Sequence, residues 1–77
     1  MLKDDYKQRM NLEYLQLRER FNKLSIMLKK YNDGTLEFEP SCPIELLESQ
    51  YLTMYTYLKI LEKRAKIENV NIPKKLL

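Results

Sequence analysis

Histidine is absent from these 77 residues, and cysteine and glycine occur once each. With no histidine and only Cys42, neither a disulfide framework nor a zinc site can be assembled within the chain. The familiar nucleophile–base pairs fail for the same reason. A single glycine leaves no glycine-rich loop to cradle a phosphate. The expectation is therefore a protein without catalytic residues, metal or cofactor, whose work is binding. Long apolar runs are missing too. None approaches the ~20 residues of a membrane span, and the opening MLKDDYKQRM lacks the apolar stretch of a secretory signal. A soluble protein is expected, and the lone thiol, read as a small apolar loop residue, suits a reducing cytoplasm.

What the chain does have is charge and helical periodicity. Fourteen basic residues stand against eleven acidic ones, giving a net charge of +3. The two signs are interleaved, as on a solvated helical surface, and no single basic face is gathered for DNA or RNA. Apolar residues recur at Met10, Tyr14, Leu17, Phe21, Leu24, Leu28 and Tyr31 in unbroken steps of four and three. That is a heptad seam, the mark of a helix facing a partner helix. Asn32, Asp33 and Gly34 then supply turn chemistry, while Lys29 and Lys30 sit where a helix dipole favours cations.

A second seam runs through Leu47, Tyr51, Met54, Leu58, Leu61 and Ala65. Before it, GTLEFEPSCP contains two prolines and alternates Leu36 and Phe38 with acids. The connector is expected to lie extended and tuck those two side chains against the helix ends. Ser41 or Cys42 is expected to cap the second helix, with Pro43 in its first turn and Glu45 at its positive end. Asn69 and Asn71 weaken that helix, and Pro73 ends it. The expected architecture is all-α, a single antiparallel hairpin with a helix over 3–31, a loop over 32–42 and a helix over 43–68. A tail over 69–77 follows, frayed or docked on a neighbour through Leu76 and Leu77.

Both helices also carry apolar residues off their seams. On the first these include Leu12, Leu15 and Ile26, and on the second Leu46, Leu52, Tyr57, Ile60 and Ile67. A two-helix hairpin cannot bury a second stripe, so a homo-oligomer is expected.

Tyrosine rings beside cations suit nucleotides, since rings stack on bases and cations meet phosphates. Tyr14 lies on the first seam, and Tyr31 stands beside Lys29 and Lys30. Tyr57 shares a helical face with Arg64. The plainer reading makes Tyr14 core and the lysine pair dipole-compensating surface. Within QYLTMYTYLKILEKR, over residues 50–64, the spacing assigns Tyr51 to the seam, Tyr55 to its flank, and Tyr57 to a subunit interface or its pocket.

The order of residues adds a resemblance. Arg9, Met10, Glu13, Tyr14, Leu17, Arg20, Lys23 and Leu24 fit the pattern R-M-x-x-E-Y-x-x-L-x-x-R-x-x-K-L. Leu46, Leu47, Gln50, Met54, Tyr57, Leu58, Ile60, Leu61 and Arg64 fit L-L-x-x-Q-x-x-x-M-x-x-Y-L-x-I-L-x-x-R. From about residue 6 to 68 the chain resembles the hairpin domain shared by anti-CBASS and anti-Thoeris phage proteins. The resemblance implies a non-enzymatic sponge, hexameric in the well-understood members, acting in the cytoplasm of the infected bacterial host. It implies a ligand buried between subunits: a cyclic di- or trinucleotide, or a cyclic ADP-ribose-type signal. It further implies Tyr14 stacking on a base, Lys29 or its neighbour Lys30 on a phosphate, and Arg64 at another phosphate-facing site. The connector departs from the shorter ones of some members, which would reshape a pocket near Lys29. A structural or adaptor hairpin binding a protein partner needs only the seams and the second stripe. A weak nucleic-acid binder is a third reading.

Overall fold

The computed structural model of the chain describes residues 2–72, with side chains from Tyr6 onward. Two helices, α1 (Leu2–Asp33) and α2 (Ile44–Glu68), pack against each other as a hairpin. Thirty-two residues of α-helix rise about 48 Å, and the long dimension of the molecule is 48 Å. The expectations for Pro73, Leu76 and Leu77 lie outside the described residues.

The two seams meet. Met10, Tyr14 and Leu28 of α1 are buried, as are Met54, Leu58, Leu61 and Ala65 of α2. Tyr14 has no exposed surface at all, and Leu61 has almost none. Leu17 and Phe21 pack on this core, and Phe21 stacks on Tyr51 with ring centroids 4.7 Å apart. The steps of four and three thus kept one stripe of each helix facing the other along most of its length.

Both helices stop by the same device. Gly34 follows α1 at φ +76°, and the Thr35 amide donates to the Lys30 carbonyl at 2.9 Å. Asn69 follows α2 at φ 59°, and the Val70 amide donates to the Ala65 carbonyl, also at 2.9 Å. A left-handed residue thereby lets the chain reverse and satisfy an orphan carbonyl of the last turn. Glycine adopts that conformation freely, and asparagine is among the few other residues that tolerate it.

Three local expectations are corrected. Neither Ser41 nor Cys42 caps α2: Pro43 occupies the cap, and no side chain bonds the free amides there. The Leu46 amide donates to the Pro43 carbonyl at 3.0 Å, and Glu45 in the first turn complements the positive end of the helix. Phe38 does not tuck against a helix end but is 60% exposed, whereas Leu36 is half-buried. Finally, residues 70–72 are not merely tail. Val70 is buried in the core and Ile72 packs against it, because the turn at Asn69 folds the chain back over the end of the hairpin.

Candidate ligand-binding edge

Polar contacts cross the seam on both of its flanks, and each pairs a tyrosine hydroxyl with a carboxylate. On one flank the Tyr14 hydroxyl donates to Glu62 Oε2 at 2.6 Å. On the other, Tyr57 donates to Glu13, and Tyr6 lies against Glu68. A buried phenol must find a partner for its hydroxyl. Glutamates on the facing helix provide one, and the pairing also fixes the register of the helices.

Around Tyr14 the network extends to cations. Arg18, one turn along α1, donates through an Nη to the Tyr14 oxygen at 2.7 Å, and its guanidinium lies 5.8 Å from the Tyr14 ring centre. Lys59 Nζ stands 3.5 Å from Glu62 Oε1. Burial pushes the Tyr14 phenol up, and the bond to Glu62 adds to the shift. Glu62 is held below the usual carboxylate range, first by the Tyr14 hydroxyl and then by the nearby charges of Lys59 and Arg18. On the other flank Arg64 binds Glu68 through two nitrogens, at 2.9 and 3.2 Å, which depresses the Glu68 carboxyl.

The four residues expected at a ligand site are not brought together within one chain. Tyr14 is wholly enclosed by the seam, so neither face of its ring is open to a base. Lys29 is exposed and pairs with Asp33 at 3.6 Å. Its backbone neighbour Lys30 is exposed on the last turn of α1. Fifteen residues separate Tyr14 from Lys29, which on a helix is roughly 22 Å. Arg64 lies far from both lysines, within electrostatic reach of Tyr6 and Glu13.

The structure does assemble a group that the seam pattern passed over. Tyr55 is 48% exposed and tilts against Phe21, with ring centroids 6.2 Å apart. Lys59 reaches over the Tyr55 ring at 5.4 Å from its centre, and the same ammonium meets Glu62. Tyr55 is therefore linked through Lys59 and Glu62 to Tyr14 and Arg18 along one edge of the hairpin. The signal was present as two i,i+4 pairs of tyrosine and cation, Tyr14–Arg18 and Tyr55–Lys59, one on each helix. It was hidden because either pair alone is a common surface feature.

Among the described residues, no helix is long and apolar enough to cross a membrane. A family model described as Sequestin matches residues 4–67, nearly the full hairpin. The chain belongs to the Sequestin family. Membership implies a sequestering role. No curated protein and no solved structure matches this chain. The matched span takes in both helices and the connector, so the whole of the Tyr14–Glu62 edge lies inside it.

Proposed function

We propose that this Sequestin-family hairpin is a non-enzymatic sponge for immune second messengers. It binds a cyclic di- or trinucleotide, or a cyclic ADP-ribose-type signal, and so blocks bacterial anti-phage signalling inside the infected cell. The observation that carries the reading is the family match over residues 4–67, with the sequestering role it implies. The phage-protein resemblance of the two helix motifs supplies the class of ligand.

Self-assembly is part of the proposal, with a hexamer as the expected form. The hairpin exposes 6216 Å², whereas a compact monomer of 9.4 kDa exposes roughly 5000 Å². The excess is of the order that one partner buries in a standard interface. Leu46, Ile60 and Ile67 on α2, and Leu12 and Ile26 on α1, are each about half exposed or more. These are the side chains an interface between copies would cover.

Oligomerisation also answers the geometry. Lys29 and Lys30 at one end of the hairpin and Arg64 towards the other are too far apart to meet one messenger in a single chain. Apposed copies would bring the end of one hairpin beside another, and symmetry would present each cation twice. That arrangement suits a ligand with its own two-fold axis. Sequestration then works by mass action, requiring tight binding and enough copies to outnumber the signal.

Titration calorimetry of the assembled protein against a panel of cyclic di- and trinucleotides and cyclic ADP-ribose isomers tests the reading. A saturable heat for at least one, with the ligand recovered unaltered afterwards, is the expected result. Flat isotherms throughout would overturn it in favour of an adaptor whose exposed stripe binds a protein.

A further inference from the structure

We infer that the edge carrying Tyr55, Lys59 and Arg18 is where this hairpin takes the base and phosphate of a nucleotide, and that Tyr14 serves that edge through its hydroxyl and not by stacking. The inference rests on the sponge reading above and adds residues to it. It begins from a conflict between chemistry and burial. A ring with no exposed surface cannot stack on a ligand, yet the Tyr14 oxygen is bonded on both sides, to Glu62 at 2.6 Å and from Arg18 at 2.7 Å. Its position makes it a joint between a cation on α1 and a carboxylate on α2.

Arg18 is the group so held. Its guanidinium has five N–H donors in a planar fork, and the bond to Tyr14 comes from a single terminal nitrogen. The remaining donors suit the paired oxygens of a phosphate. Side-chain entropy opposes binding by a free arginine, and a half-buried arginine already tethered to a buried oxygen has less of it to lose.

Tyr55 provides the flat surface. It leans on Phe21, which is itself stacked on Tyr51, so an exposed ring is braced by aromatic packing behind it. Lys59 lies over that ring on a flexible stem. A base arriving at Tyr55 displaces the ammonium from the ring and leaves it beside the nucleotide's phosphate. Two cations, Arg18 and Lys59, stand against one carboxylate, Glu62, so the edge keeps a net charge of +1. Both oxygens of Glu62 are already engaged, Oε2 by Tyr14 and Oε1 by Lys59, which mutes its repulsion of an anion.

The test uses the assembled full chain and the same panel of cyclic nucleotides and cyclic ADP-ribose isomers. For whichever member binds the wild type, Tyr55→Leu and Lys59→Ala should each weaken affinity by about tenfold or more, the loss of a stacked ring or a charged hydrogen bond. Arg18→Ala should cost at least as much, with Arg18→Lys recovering only part. Tyr14→Phe is decisive, because it keeps the buried ring and removes only the oxygen. It should weaken binding about as far as Arg18→Lys while circular dichroism and sedimentation stay unchanged. Wild-type affinity in Tyr14→Phe, or in both Tyr55→Leu and Lys59→Ala, would overturn the inference and leave the sponge reading intact. A wild type that binds no member of the panel would overturn both.

Discussion

The two ends of the hairpin are built differently. At the open end, where the helix termini meet, Met10, Tyr14, Leu61, Ala65 and Val70 form one buried cluster. Tyrosine–glutamate bonds cross between the helices on either side of it. Towards the connector the buried positions thin to Leu28 and Met54. Tyr31, Phe38, Leu46 and Leu52 are all more than 40% exposed there. The core is complete at the open end and thins towards the connector, while exposed apolar side chains occur at both, Leu12, Ile60 and Ile67 at the first and Leu46 and Leu52 at the second. A small domain need not be uniformly stable, since local opening free energies differ across a structure.

Core truncation should separate the ends most sharply. Leu61→Ala, in the closed cluster, is expected to cost about 2–5 kcal/mol, and Leu28→Ala to fall at the low end of that range. Urea unfolding of each variant measures both, and equal losses would break the contrast. Next comes the turn that closes α1. A Cβ at Gly34 meets nothing within 4 Å, so Gly34→Ala carries only the strain of a left-handed backbone, about 1–2 kcal/mol. Thermal melts read this directly, and a neutral outcome would mean that the turn relaxes.

Acid should act at the open end. Because the Glu62 carboxyl titrates below its ordinary value of 4.5 when folded, its contribution is present above that pH. The contribution is lost as pH falls through the lower folded value. Glu62 faces Tyr14, Lys59 and Arg18. Glu62→Gln should therefore flatten the acid limb of a stability–pH profile, and an unchanged limb would assign it to other carboxylates. Smallest of all is the effect of Phe38→Ser on folding. At 60% exposure it should change folding stability by less than about 0.5 kcal/mol. Sedimentation sharpens the point: if the loop end is an interface, the same substitution should loosen the assembly.

The seams were readable because each depends on local spacing alone, and α-helical periodicity carries straight into packing. Tyr51 fell on the seam as its angle requires, and Tyr55 beside it. Other features depended on where the chain goes after a helix ends. Val70 and Ile72 look like tail until the left-handed turn at Asn69 returns them to the core. Phe38 looked like a residue that tucks inward, but alternation with acids does not say which side of an extended loop faces the protein. Arg18 and Lys59 were passed over for a related reason. Their meaning comes from a glutamate that is 44 residues from one of them and 3 from the other.

The enclosure of Tyr14 has an optical consequence. The chain has six tyrosines and no tryptophan, so its near-ultraviolet spectrum is a spectrum of phenols. A phenol ionised by alkali absorbs as phenolate. Tyr14 resists that ionisation, because burial and the bond it donates to Glu62 raise its folded pKa above the usual 10.0. A rapid jump to high pH should thus leave a slow phase of absorbance that Tyr14→Phe removes. That lagging phenol is a clock built into the seam, timing how often the two helices part.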